Sequence, residues 1–102
     1  MITVTQSLSF SSKCRGKYSD AEIDELIEQI AHDPMAGHQL PATSCVYRLA
    51  WARTVQKKYE YDVFYVYHSP ERPILIVNIF KKGATDVLSK VIATLTEELT
   101  RN

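Results

Sequence analysis

No apolar run in this chain approaches the roughly 20 residues that a helix needs to cross a bilayer. The longest, Ile74 to Val77 with Ile79 and Phe80 beyond Asn78, has the length of a strand. Residues 1 to 10 carry neither a basic leader nor a long apolar stretch, so no signal peptide is expected and the cytoplasm is the default compartment. Cysteine is scarce. Cys14 and Cys45 have no metal-ligand spacing and no redox motif, which reads as two reduced thiols. His32 and His38 flank the turn at Pro34 without ligand spacing, so no metal and no other cofactor is expected. Repeats, low-complexity tracts and linkers are also missing, and 102 residues leave room for one core only: a single domain over 1–102. An excess of one charge is absent too, since twelve bases balance twelve acids.

The charge that is present is unevenly spread. Asp20, Glu22, Asp24, Glu25, Glu28 and Asp33 lie in one stretch without Lys or Arg, so the rest of the chain holds twelve bases against six acids. Arg48, Arg53, Lys57 and Lys58 follow one another with no intervening acid, and Lys81 and Lys82 form a second focus. A basic face binds phosphate backbone even on a neutral protein, because counterion release depends on local charge. Solvated surface is the competing reading. Hydrophobic residues at 45% and charged residues at 24% are ordinary for a soluble globular domain.

Residues 2 to 10 alternate and predict a first strand, followed by a polar connection over 11 to 18. Ser19 with Glu22 fits a capping box and opens a helix whose apolar stripe is Ile23, Leu26, Ile27 and Ile30, ended by Asp33-Pro34 and Gly37. A loop is expected over 36 to 44. In the next strand, 45 to 53, Cys45, Tyr47, Leu49 and Trp51 point one way and Val46, Arg48, Ala50 and Ala52 the other. Trp51 reads as core. Residues 60 to 68, rich in aromatic and β-branched side chains, and 74 to 80 predict two more strands, joined by a short turn into an antiparallel meander. A last helix starts between Thr85 and Ser89 with Leu88, Val91, Ile92, Leu95 and Leu99 as its stripe. The expected class is α+β in the order β-α-β-β-β-α, a mainly antiparallel sheet packed against helices.

Four stretches carry a resemblance: Ser19-Asp20 with IDELIEQIA and DPMAG, then VYRLAWAR, then KKYEYDVFYVYH, and IFKKG with LS downstream. In their order and spacing they resemble the RelE/ParE toxin superfamily of type II toxin–antitoxin systems, nearest its HigB-like branch, from about Tyr18 to Leu99. The resemblance implies a toxin silenced by a cognate antitoxin protein. In the RNA-cleaving members, the mRNA interferases, it implies entry into the ribosome and cutting of mRNA by attack of a 2′-hydroxyl on the adjacent phosphate. Such a step needs cations against the extra negative charge of the transition state and groups that move protons.

Carried over residue by residue, the resemblance gives Arg48, Lys58, Lys82, Tyr65 and Tyr67 as the catalytic candidates. Arg53, Lys57 and Lys81 are the RNA-binding ones. The sequence also departs from the family's pattern. Ala42-Thr43-Ser44-Cys45 lacks the expected glycine, Tyr47 and Ala50 replace bases, Tyr59 and Glu60 replace glycines, and Asp62 stands where an Arg is expected. A carboxylate in place of a phosphate-facing cation changes the local charge by two units. Asp62 reads either as a general base or as an ion-pair partner of Arg48, and His68 either as an acid–base group or as polar surface. Three functions remain open: an active nuclease toxin, a toxin fold with weakened or lost catalysis that binds a protein, and a gyrase poison on the same fold.

Overall fold

The computed structural model describes residues 2–16, 18–40, 45–51 and 61–100. The chain order is β1 (Val4–Gln6), α1 (Leu8–Cys14), α2 (Asp20–His32), β2 (His38–Gln39), β3 (Val46–Trp51), β4 (Tyr61–Val66), β5 (Ile74–Lys81) and α3 (Val87–Thr100). The strands form one sheet in the order β1-β5-β4-β3-β2, with β1 parallel to β5 and the other pairs antiparallel. The class is α+β, and the meander β3-β4-β5 at its centre agrees with the alternation of the sequence.

The first ten residues do not make one strand, as their alternation suggests. Strand β1 stops at Gln6 because the Ser7 hydroxyl accepts from the Phe10 N–H at 2.9 Å and donates to the Val77 carbonyl. That one side chain caps α1 and ties it to β5. The polar stretch expected to be a connection is thereby helical as far as Cys14, with Phe10 and Cys14 buried. The observed order therefore gains a helix before the predicted one. It also gains the two-residue strand β2 inside the expected loop.

Helix α2 starts as its sequence dictates. The Glu22 N–H donates to the Ser19 Oγ at 3.1 Å while the Ser19 N–H donates to the Glu22 carboxylate at 2.8 Å. Leu26 and Ile30 are buried, with Ile23 and Ile27 packed beside them.

The sheet is covered on both faces. On one, α1 and α2 enclose Tyr47, Leu49, Trp51, Val63, Tyr65, Ile74, Ile76 and Ile79. On the other, α3 brings Val91, Val87 and Leu95 onto Val46, Phe64, Val66 and Val77. The strand β3 alternates as expected except at Cys45, which precedes the strand and packs on the α3 side. The stripe predicted for α3 is rotated. Ile92 is 49% exposed and Thr94 is turned inward. The side chain of Leu99 lies outside the described residues.

A β-bulge gives the inward Thr94 its partner. Phe64 pairs with Asn78 but Tyr65 pairs with Ile76, so Val77 is an extra residue and both Val77 and Asn78 face α3. Asn78, 2% exposed, donates to the Thr94 hydroxyl at 2.8 Å and accepts from the Ser9 hydroxyl at 3.1 Å. Both ends of a buried amide are thus satisfied, one by α1 and one by α3.

Candidate functional site

The α3 helix covers only part of its sheet face. Across that face the pairing sets out two rows, His38, Arg48, Phe64 and Asn78, then Ala50, Asp62 and Phe80, of which Phe64 and Asn78 lie under α3. Arg48, Ala50 and His38 are exposed and Asp62 is half-buried. This open patch is where the face presents polar groups, because alternation sends the intervening Tyr47, Leu49 and Val63 to the α2 side. Arg48 and Asp62 are diagonal neighbours, a separation of about 7–8 Å between strand positions. No ion pair joins them in the described residues, so the pairing expected for Asp62 is not seen. His38, read from the sequence as an isolated residue, stands directly across from Arg48. Only the two-residue strand β2 places it there, and no sequence signal pointed to that strand.

The tyrosines lie elsewhere. Tyr65 is fully buried on the opposite face, stacked on Tyr47 with ring centroids 5.6 Å apart. Its hydroxyl donates to the Pro34 carbonyl at 2.6 Å and accepts from the Gly37 N–H at 3.3 Å. It therefore anchors the loop that follows α2. Burial pushes the Tyr65 phenol above its ordinary value, aided by Tyr47 and Asp33 and opposed by the Gly37 N–H. A raised phenol holds its proton, which suits the donor bond to Pro34 and is opposite to what a proton carrier at neutral pH requires. Tyr67 is half-buried on that same side, edge-on to Tyr47 at 6.2 Å. The structure thus does not bring Arg48 together with Tyr65 and Tyr67. Opposite parity across the β3–β4 pairing separates them.

Gly37 is fixed by the same contact. A Cβ there would lie 2.8 Å from the Arg48 carbonyl oxygen and 2.9 Å from the Tyr65 hydroxyl. Glycine at this position lets the loop after α2 pass close against β3, just beneath Arg48.

Lys81 ends β5 and Lys82 follows it in the turn, both exposed. Arg53, Lys57 and Lys58 lie outside the described residues. His68 is exposed past the end of β4 and the predicted reduced thiols, Cys14 and Cys45, are both unbridged. Trp51 is buried in the core, as expected. Among the described residues no group of His, Cys, Asp and Glu is arranged to hold a metal ion, and no helix is long and apolar enough to cross a membrane.

Sequence reading missed a second concentration of charge. The Lys13 ammonium lies 3.8 Å from the centre of the Phe80 ring and donates to the Ile79 carbonyl at 3.2 Å; the Lys90 ammonium is 5.7 Å from the same ring. Nothing in the sequence spacing links residues 13, 80 and 90.

No family model and no curated protein matches this chain.

Proposed function

We propose that the chain is a toxin of the RelE/ParE type, derived from the ribosome-dependent mRNA endoribonucleases, in which catalysis is weakened or lost. The resemblance over residues 18 to 99 supports the family. The single observation that carries the weakened chemistry is Asp62 on the open sheet face, diagonal to Arg48. Cleavage by a 2′-hydroxyl builds negative charge at the phosphate, so a carboxylate in a cation's place acts against the transition state. At about 7 Å, exchanging a positive for a negative charge is worth roughly 1 to 5 kcal/mol between water-like and near-surface screening. That is about one to four powers of ten in rate. Of the five catalytic candidates, Arg48 and Lys82 are exposed, Tyr65 has its hydroxyl committed to Pro34 and Gly37, and Tyr67 packs on Tyr47.

The same observation favours a second reading, a protein-binding module on a toxin fold with no cleavage at all. In either case the partner is an antitoxin segment. Exposed Ile92 on the outer side of α3 supports an apolar contact there.

Growth and labelled amino-acid incorporation after induced expression, for the wild type and Asp62→Arg, test the reading. The expected outcome is a mild effect for the wild type and arrest of translation by the Arg variant. Translation unaffected by both would sink the nuclease ancestry of the site, and arrest by the wild type would sink the weakened catalysis.

A further inference from the structure

The outer edge of β5 carries a feature that the open face does not. Strand β1 covers this edge only as far as Gln6, opposite Ile76. Beyond it α1 runs alongside, and Lys13 reaches across the edge to the Ile79 carbonyl and the Phe80 ring. Next to it lies a cleft of about 400 Å³ lined by Lys13, Tyr18, Tyr61, Ile79, Phe80 and Lys81. None of these is a carboxylate. Lys90 shares the Phe80 ring with Lys13, and Lys81 lines the cleft beside it, so three lysines belong to this end of β5, with Lys82 next in the chain. The nearest described acids in sequence and register are Asp62, next to Tyr61 and across from Phe80, and Asp20, two residues after Tyr18; Glu60, on the other side of Tyr61, lies outside the described residues.

The aromatic side of the cleft is equally defined. Tyr18 leans on Trp51 at 5.2 Å and meets Tyr61 edge-on at 5.9 Å, so both rings are held by packing while remaining half-exposed. Cations beside positioned aromatic rings form the arrangement by which single-stranded nucleic acids are held, phosphates on the charges and bases on the rings. An inorganic anion would use the lysines and leave the rings without a role.

We propose that this cleft binds single-stranded RNA, with Lys13 and Lys81 on the phosphates and Tyr61, backed by Tyr18, stacking a base. The proposal rests on the RNA-binding half of the reading above and makes no use of Arg48, Asp62 or cleavage. Of its residues, only Lys81 was marked by the sequence.

Fluorescence anisotropy of a labelled oligouridine with the full chain, over a salt series, provides the test. The Lys13→Gln/Lys81→Gln double variant is expected to bind about tenfold more weakly. Its slope of log affinity against log salt should be shallower by about 1.4, the release expected from two single-strand phosphate contacts. Tyr61→Leu should lose about tenfold with the slope unchanged. Arg72→Gln, in the turn at the other end of β5, should alter neither. Because Lys13 also holds the β5 edge, Lys81→Gln alone serves as the second variant and should carry half of the slope change. Absence of binding by the wild type overturns the proposal. So does an unchanged slope in both lysine variants, or inorganic polyphosphate binding as tightly while Tyr61→Leu has no effect. RNA binding that depends on these residues, with translation untouched by Asp62→Arg, would retain the cleft and remove the nuclease reading.

Discussion

The Tyr65 hydroxyl sits where two backbone groups of the loop after α2 meet it, and both would lose their partner in Tyr65→Phe. Leaving a buried carbonyl unpaired typically costs about 1–3 kcal/mol, which urea unfolding should detect. The same residue predicts a pH dependence. Its phenol titrates above the ordinary tyrosine value in the folded protein, so its contribution is complete below about pH 10, where the unfolded chain also keeps the proton. The contribution is lost as pH rises from there through the folded value. The difference in unfolding free energy between wild type and Tyr65→Phe should therefore shrink on the alkaline side only, and a difference constant from neutral to strongly alkaline pH would refute the assignment. Gly37→Ala attacks the neighbouring contact. Its Cβ meets the Arg48 backbone, which cannot swing away, so a loss of about 1–3 kcal/mol is expected. Most of that loss should persist in a Tyr65→Phe background, because the Arg48 carbonyl remains in place.

Two helices begin on serine caps, and the structure makes them unequal. Ser19 is exposed, so water can replace its hydroxyl, and Ser19→Ala should lower stability by about 1 kcal/mol. Ser7 is fully buried and bonds both Phe10 and Val77, so Ser7→Ala should cost about twice that and loosen α1 from β5. Equal effects in thermal unfolding would mean that the tie to Val77 contributes nothing. Helix α3 offers a third comparison at this scale. Its Thr94 accepts from the buried Asn78 amide, and Thr94→Val keeps the shape while leaving that donor unpaired. Amide exchange in Val87–Thr100 should then quicken relative to β4 and β5; uniform protection would show that apolar packing alone holds the helix.

Across the whole molecule, function turns on which groups share a face. The patch around Arg48 and Asp62 faces the α3 side, Tyr65 and Tyr67 face α2, and the Lys13–Tyr61–Lys81 cleft lies along the β5 edge. That division is the structural basis for reading the proposed RNA contact and RNA cleavage as separable in this chain. Because Asp62 stands across from Phe80 in the cleft, Asp62→Arg should alter translation and also tighten RNA binding measured by anisotropy, with the loss on Tyr61→Leu persisting in the Arg background. RNA affinity that no longer depends on Tyr61 in the Asp62→Arg background would show that the two sites act as one surface instead.

The local pattern was enough wherever the cause is local. The Ser19–Glu22 box, the stripe of α2, the alternation of β3 from Tyr47 to Trp51 and the turn at Ser69–Arg72 between β4 and β5 depend on neighbours within a few residues, and each is present as its residues imply. The helix α1 escaped because an alternating polar–apolar stretch is compatible with strand pairing until Ser7 finds the Val77 carbonyl, 70 residues away. Site geometry escaped for a related reason. A single extra residue at Val77 reverses the parity of β5, sending Ile79 to the α2 side and Phe80 to the α3 side. Composition and spacing carry no record of a bulge. Residue types, element boundaries and charge foci belong to the sequence; which of those charges meet, around Phe80 or beside Arg48, was decided only by strand register and by the helices packed across it.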